Sequence, residues 1–194
     1  MRRNILILLF CFLLAVSAGC RKRETPKPIP KTSSELDRAQ SDVCRLITSE
    51  EIGAIQGSSV QEPKGSTRSE NGLRVSQCFY TATEFSKSVN LALVQRDPEN
   101  PSRRSPKDFW KEKFDPYENE EPQKDSDGEK EKGPPPKKIA SLGDEAYWAS
   151  NRFGGTLYVL KGDAFISIGL GGTDDEETKL TKSKALAQKA LQRL

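Results

Sequence analysis

The chain has 194 residues, a formal net charge of +3, 30% charged residues and no histidine, a length that suits one domain of ordinary size with unstructured flanks. Two positive charges sit at Arg2 and Arg3, a net +4 lies in residues 21–31 and the remainder is −3, so the folded part lacks the basic surface that nucleic-acid binding requires. Without histidine a Ser-His-Asp arrangement is impossible, and the commonest transition-metal ligand is missing.

Arg2 and Arg3 precede an almost unbroken apolar run over residues 5–16, and Ser17-Ala18-Gly19 supplies small residues before Cys20. That order reads as a secretory signal over residues 1–19. As a helix, the apolar stretch spans about 21 Å at about 1.5 Å per residue, short of a bilayer core of about 30 Å. A cleaved signal is therefore expected, not a permanent span. Ser17-Ala18-Gly19-Cys20 resembles the bacterial lipobox, with Ser17 where that motif usually carries Leu. The resemblance implies cleavage before Cys20, acylation of its thiol by palmitate-type chains and attachment to a membrane, each buried acyl CH2 contributing about 0.8 kcal/mol. Arg21 stands where the resemblance would place Asp in lipoproteins kept at the inner membrane. The implied address is the periplasmic face of the outer membrane.

Residues 20–40 hold Pro26, Pro28 and Pro30 among basic side chains and have no apolar period, which predicts a disordered tether. With Cys11 in the signal and Cys20 as the lipid site, Cys44 and Cys78 remain, and an exported context predicts a disulfide between them. Its loop of about 35 residues corresponds to about 3–4 kcal/mol on the chain-entropy argument. No Cys-x-x-Cys spacing suggests a redox role.

The domain is expected over residues 41–194. Asp42 caps Val43, Leu46 and Ile47, Thr48-Ser49-Glu50-Glu51 has the form of a capping box, and Gly57 suits a left-handed stop, so two short helical pieces are predicted. A weak polar strand follows, then a turn at Asn71-Gly72 and a strand in which Val75, Gln77 and Phe79 alternate with Ser76, Cys78 and Tyr80. Residues 89–94 are apolar on both faces, which predicts a central strand. Residues 96–138 are charged and proline-rich, broken by Phe109, Trp110 and Phe114, which predict one amphipathic helix after Ser105-Pro106. From about 115 to 138 a disordered insert is expected, too polar to offset an ordering entropy of about 1–2 kcal/mol per residue. Order returns at Ile139, with three antiparallel strands at residues 146–149, 156–161 and 164–170. Thr173 with Glu176 reads as a second capping box opening a helix whose Leu180, Ala187, Ala190, Leu191 and Leu194 face the sheet. The expected fold class is α+β, an antiparallel meander sheet flanked by short N-terminal helices and a C-terminal helix.

Cys44-Arg45-Leu46-Ile47-Thr48-Ser49-Glu50-Glu51-Ile52 with Cys78-Phe79-Tyr80, and later Leu142-Gly143-Asp144-Glu145-Ala146-Tyr147-Trp148 with residues 158–162, resemble uncharacterised exported bacterial lipoproteins of the actinobacterial domain-of-unknown-function type. The resemblance implies a compact α+β fold, of PsbP/Mog1-like kind, and no known chemistry. It assigns no functional residue.

Candidate sites each have a plainer reading. Asp125-Ser126-Asp127-Gly128 has the alternate carboxylates of a calcium loop, but Gln123 and Pro134 fall where Asp and a bidentate Glu belong. No metal or other cofactor is expected. Gly169-Leu170-Gly171-Gly172 runs from strand to helix as a phosphate cradle does, yet four acidic residues, Asp174 to Glu177, occupy that helix start and would repel an anion. No Gly-x-Ser-x-Gly motif is present, and no Ser stands three residues before a Lys. Among the aromatics, Trp148 is expected in the core and Trp110 is the candidate exposed contact. The expectation is a non-enzymatic, membrane-anchored envelope lipoprotein that binds a protein or envelope component. The alternatives are a carrier of a small or lipid-like ligand, which needs a large apolar cavity, and a carboxylate-based hydrolase using Asp144 and Glu145.

Overall fold

Residues 89–94 and 164–170 carry apolar side chains on both faces, the pattern of a strand central in its sheet. In the computed structural model, which describes residues 43–100, 104–118, 134–151 and 154–194, they form neighbouring central strands of an antiparallel sheet. Seven strands are present among the described residues: β1 (Lys64–Glu70), β2 (Leu73–Tyr80), β3 (Val89–Arg96), β4 (Lys137–Lys138), β5 (Glu145–Ala149), β6 (Thr156–Lys161) and β7 (Ala164–Leu170). Their order, β1-β2-β3-β7-β6-β5-β4, joins two meanders side by side at β3 and β7. Asn71 and Gly72 take positive φ at the β1–β2 turn, the left-handed backbone a two-residue hairpin loop needs. With its helices this is an α+β fold, the meander read from the sequence.

Three α-helices are described: α1 (Ser49–Gln56), α2 (Pro106–Glu118) and α3 (Glu176–Leu191). The Thr48 hydroxyl accepts from the Glu51 amide at 3.2 Å while Glu51 accepts from the Thr48 amide at 3.0 Å, so the capping box forms as expected. Gly57 ends α1 at φ 66°. Asp42 lies outside the described residues, where the earlier helical piece is represented by Val43 and Cys44. The start of α3 corrects the sequence reading. Its cap is Asp175, which accepts from the Thr178 amide at 2.8 Å, not Thr173. Glu176 instead accepts from the Trp148 indole at 2.9 Å and from the Ser150 hydroxyl at 2.7 Å. Leu194, expected on the buried face, lies beyond the helix and is exposed, while Leu186 is buried in its stead.

Both ends of the expected insert at about 115–138 are described. Helix α2 continues through Pro116 to Glu118, and Lys137–Lys138 pairs with Trp148 and Tyr147 as edge strand β4. Residues 119–133 of the expected insert lie outside the described residues.

The layers follow from strand alternation. One face of the sheet, with Cys78, Tyr80, Leu91, Trp148, Val159, Ile166 and Ile168, meets Ile47, Ile52, Leu186, Ala187 and Ala190 in the main core beneath α1 and α3. The opposite face carries Leu73, Val94, Tyr147, Leu160 and Phe165, which pack with Trp110 and Phe114 of α2 in a second, aromatic core. The result is three layers, α1 and α3, the sheet, and α2. No helix among the described residues is long and apolar enough to cross a membrane.

Candidate functional site

Segment 43–48, where the described residues begin, packs on the main-core face, and the chemistry there is structural. Cys44 and Cys78 form a disulfide across 34 residues of sequence, as expected. Two residues along the same face of β2, the buried Tyr80 hydroxyl lies 2.8 Å from the Ile47 carbonyl, to which it donates, and 3.1 Å from that of Cys44. Burial pushes the Tyr80 phenol well above its ordinary range, so it stays a neutral donor. Segment 43–48 is thus fastened to β2 by one covalent and one polar link. Cys20, the expected lipid site, lies outside the described residues.

A second clamp joins elements far apart in sequence. The Glu51 carboxylate takes both Arg193 amino groups, at 2.7 and 2.8 Å, and lies 3.2 Å from the Lys189 ammonium. These bonds, the Arg193 pair foremost, hold the Glu51 carboxyl down at about 2. Arg193 also donates to the Leu46 carbonyl at 2.9 Å, so the end of α3 is tied to both segment 43–48 and α1.

On the opposite face, α2 begins where Pro106 tolerates the missing donor of a first turn. Ser105 and Asp108 close that end reciprocally, the Asp108 amide donating to the Ser105 hydroxyl at 3.1 Å and the Ser105 amide to the Asp108 carboxylate at 2.8 Å. Trp110 corrects the expectation of an exposed contact: it is 2% exposed. Its ring meets Phe114, Tyr147 and Phe165 at centroid distances of 4.5, 5.9 and 5.8 Å, and its indole N–H donates to Glu145 at 3.0 Å. A large ring on the apolar stripe of a helix packs into whichever sheet face is left uncovered. Trp148 is buried in the main core as expected.

The remaining candidates separate. Asp144 accepts from the Gly162 amide at 2.7 Å, fixing the β6–β7 turn, while Glu145 serves Trp110, so the two carboxylates are engaged in different structural bonds. The glycine stretch after β7 is a packing device. Gly171 donates to the Ser88 carbonyl at 2.9 Å, and a Cβ there would stand 2.0 Å from the Ser86 carbonyl oxygen, which no side chain tolerates. Asp125 to Gly128 lie outside the described residues. No cluster of three or more potential metal ligands occurs among the described residues.

A cleft of about 180 Å³ lies between the β1–β3 end of the sheet and the start of α2, lined by Arg68, Leu73, Val75, Val94, Arg104 and Phe109. Arg104 pairs with Glu112 and rests 5.5 Å from the Phe109 ring, so its charge is neutralised internally. The cleft falls short of the roughly 300–1,000 Å³ typical of small-molecule pockets. The sequence reading missed that α2 closes the second core. The signal was present: Tyr147, Leu160 and Phe165 are apolar on the face opposite the main core, and an apolar face requires a cover.

Comparison with known proteins finds no matching family model, no matching curated protein and no matching solved structure.

Proposed function

We propose that this chain is an exported bacterial lipoprotein, cut before Cys20 and acylated there, whose α+β domain binds a component of the cell envelope and catalyses no reaction. The observation that carries the reading is the Cys44–Cys78 disulfide. Structural disulfides persist in oxidising compartments and are rare in the reducing cytosol. Joined to the basic start, short apolar run and Ser17-Ala18-Gly19-Cys20 motif, it supports export followed by lipid attachment. Arg21 supports the outer membrane over the inner, and the kinship proposed with exported lipoproteins of unknown function agrees with that address. The engagement of Asp144 and Glu145 in structural bonds supports a binding role over a hydrolytic one.

Metabolic labelling with radioactive palmitate, followed by membrane fractionation, tests the reading. Labelled protein in the membrane fraction, with label and membrane association both lost in Cys20→Ala, is the expected result. An unlabelled protein that stays soluble would overturn it.

A further inference from the structure

Among the described residues the α2 face of the sheet is only half covered, and the open half is chemically unlike the rest of the described surface. Strand register places two rows of side chains on it. One row runs Phe79, Asn90, Gly169, Thr156 and Ala149, and the next Gln77, Ala92, Ser167, Tyr158 and Tyr147. Helix α2 packs over Tyr147 and reaches Tyr158 at its margin. Phe79 and Asn90 are exposed, and Gln77, Ser167, Gly169, Thr156 and Tyr158 are half-buried. Across five strands, at about 4.8 Å per spacing, the rows cover about 19 Å.

From β2 to β5 neither row contains a charged residue, in a chain that is 30% charged. Charge returns at the two sheet edges, with Lys64 opposite Phe79 and Lys138 opposite Tyr147, and at the margin of α2, where the Lys113 ammonium rests 4.8 Å from the centre of the Tyr158 ring. A solvated sheet face ordinarily carries ionic side chains, so this neutrality sets the open half apart. In their place stand Gln77, Asn90, Thr156, Ser167 and the Tyr158 hydroxyl, none with a side-chain hydrogen-bond partner among the described residues. Gly169 and Ala92 keep the middle low, so a ligand lying across β3 and β7 meets little more than backbone. Phe79, 38% exposed, bounds one end of the rows, with the 70% exposed Phe85 ring 6.5 Å away. Burial keeps the Tyr158 phenol above its ordinary range and therefore a neutral donor.

We propose that this open half-face binds an uncharged glycan strand. A sugar chain presents hydroxyl and amide groups that both donate and accept, as do amides and hydroxyls on this surface, and apolar C–H faces that an aromatic ring covers. A charged polymer would find no counter-ion within these rows and beside them only Lys113, whose ammonium already lies over the Phe114 and Tyr158 rings, and a purely apolar one would strip water from five polar side chains without replacing its hydrogen bonds. The inference deepens the envelope-binding reading and rests on it, because glycan strands are a material of the cell envelope.

The test uses the full chain, purified in a detergent without a sugar head group, and two neutral probes, N-acetylchitotetraose and maltotetraose. Titration is followed by NMR and calorimetry up to about 10 mM, above the millimolar dissociation constant expected of a shallow neutral surface. Saturable binding of at least one probe is expected, weakened about tenfold by Gln77→Ala with Asn90→Ala and abolished by Ser167→Arg, which fills the trough. Each variant must keep the wild-type unfolding midpoint. Lack of binding to both probes, or binding that survives Ser167→Arg, would overturn the proposal. So would binding only to phosphatidylcholine vesicles with dependence on Phe85, which would make the surface a membrane contact. Because the titration does not need the anchor, an unacylated chain that binds glycan would defeat only the lipoprotein reading, and an acylated chain that binds none would defeat only this one.

Discussion

On one side of the sheet, α1 and α3 cover a largely aliphatic core on β2, β3, β5, β6 and β7, the Cys44–Cys78 disulfide and the Tyr80 hydroxyl fasten segment 43–48 to β2, and the Glu51–Arg193 pair ties α1 to the end of α3. On the other side, among the described residues, a single helix, α2, is held by aromatic rings and one indole hydrogen bond and leaves half the face open. The difference separates two tasks that share one sheet. The fastened face holds segment 43–48 and the end of α3 in place, whereas the other face keeps exposed positions at Phe79 and Asn90.

Four variants, one of them followed across pH, sharpen that contrast. Trp110→Ala should have the largest effect, about 3–5 kcal/mol in chemical denaturation, because it empties the centre of the aromatic core. A loss below about 1 kcal/mol would mean that α2 is not a structural layer. Removing both Cys44 and Cys78 as alanines should cost about 3–4 kcal/mol and speed amide exchange over residues 43–48, leaving α2 unaffected. Exchange quickening equally in α2 would erase the distinction between the faces.

Glu51 has a smaller effect with a defined sign. Its carboxyl is lowered from 4.5 to about 2 in the folded protein, so the stabilisation is present above pH 4.5 and is lost as pH falls toward 2. Partial exposure screens the ion pairs, so the loss across that window should be about 1–2 kcal/mol, and Glu51→Gln should flatten it. An unchanged acid slope in the variant would assign the pH dependence to other carboxylates. Asn90→Ala, on the open half-face, should change stability by no more than about 0.5 kcal/mol. A larger loss would show that this face is already occupied within the protein.

Local physics made the fastened face legible in the sequence. The capping box at Thr48, the left-handed stop at Gly57, the turn at Asn71-Gly72 and the alternation of β2 and β5–β7 depend on neighbours a few residues apart, and all appear as expected. The disulfide was readable because compartment and elimination left one pair. The opposite face was harder because its closure is a long-range event. Trp110 had the spacing of an amphipathic helix, but nothing nearby in sequence stated that its partners would be Tyr147 and Phe165. The cap of α3 was misplaced because Asp175 offers a better oxygen than Thr173 once Glu176 is drawn to Trp148 and Ser150. The open half-face could not be foreseen either, since Gln77, Asn90, Ser167 and Thr156 belong to four strands that only the sheet order brings together.

The proposed attachment to a membrane through Cys20 is the central claim, and intact-mass analysis of the protein isolated from its own cells under non-reducing conditions tests it most directly. The account predicts a chain beginning at Cys20, heavier than its polypeptide by two or three acyl groups and lighter by two hydrogens for the Cys44–Cys78 bond. A chain that still begins at Met1, with both thiols free, would contradict it.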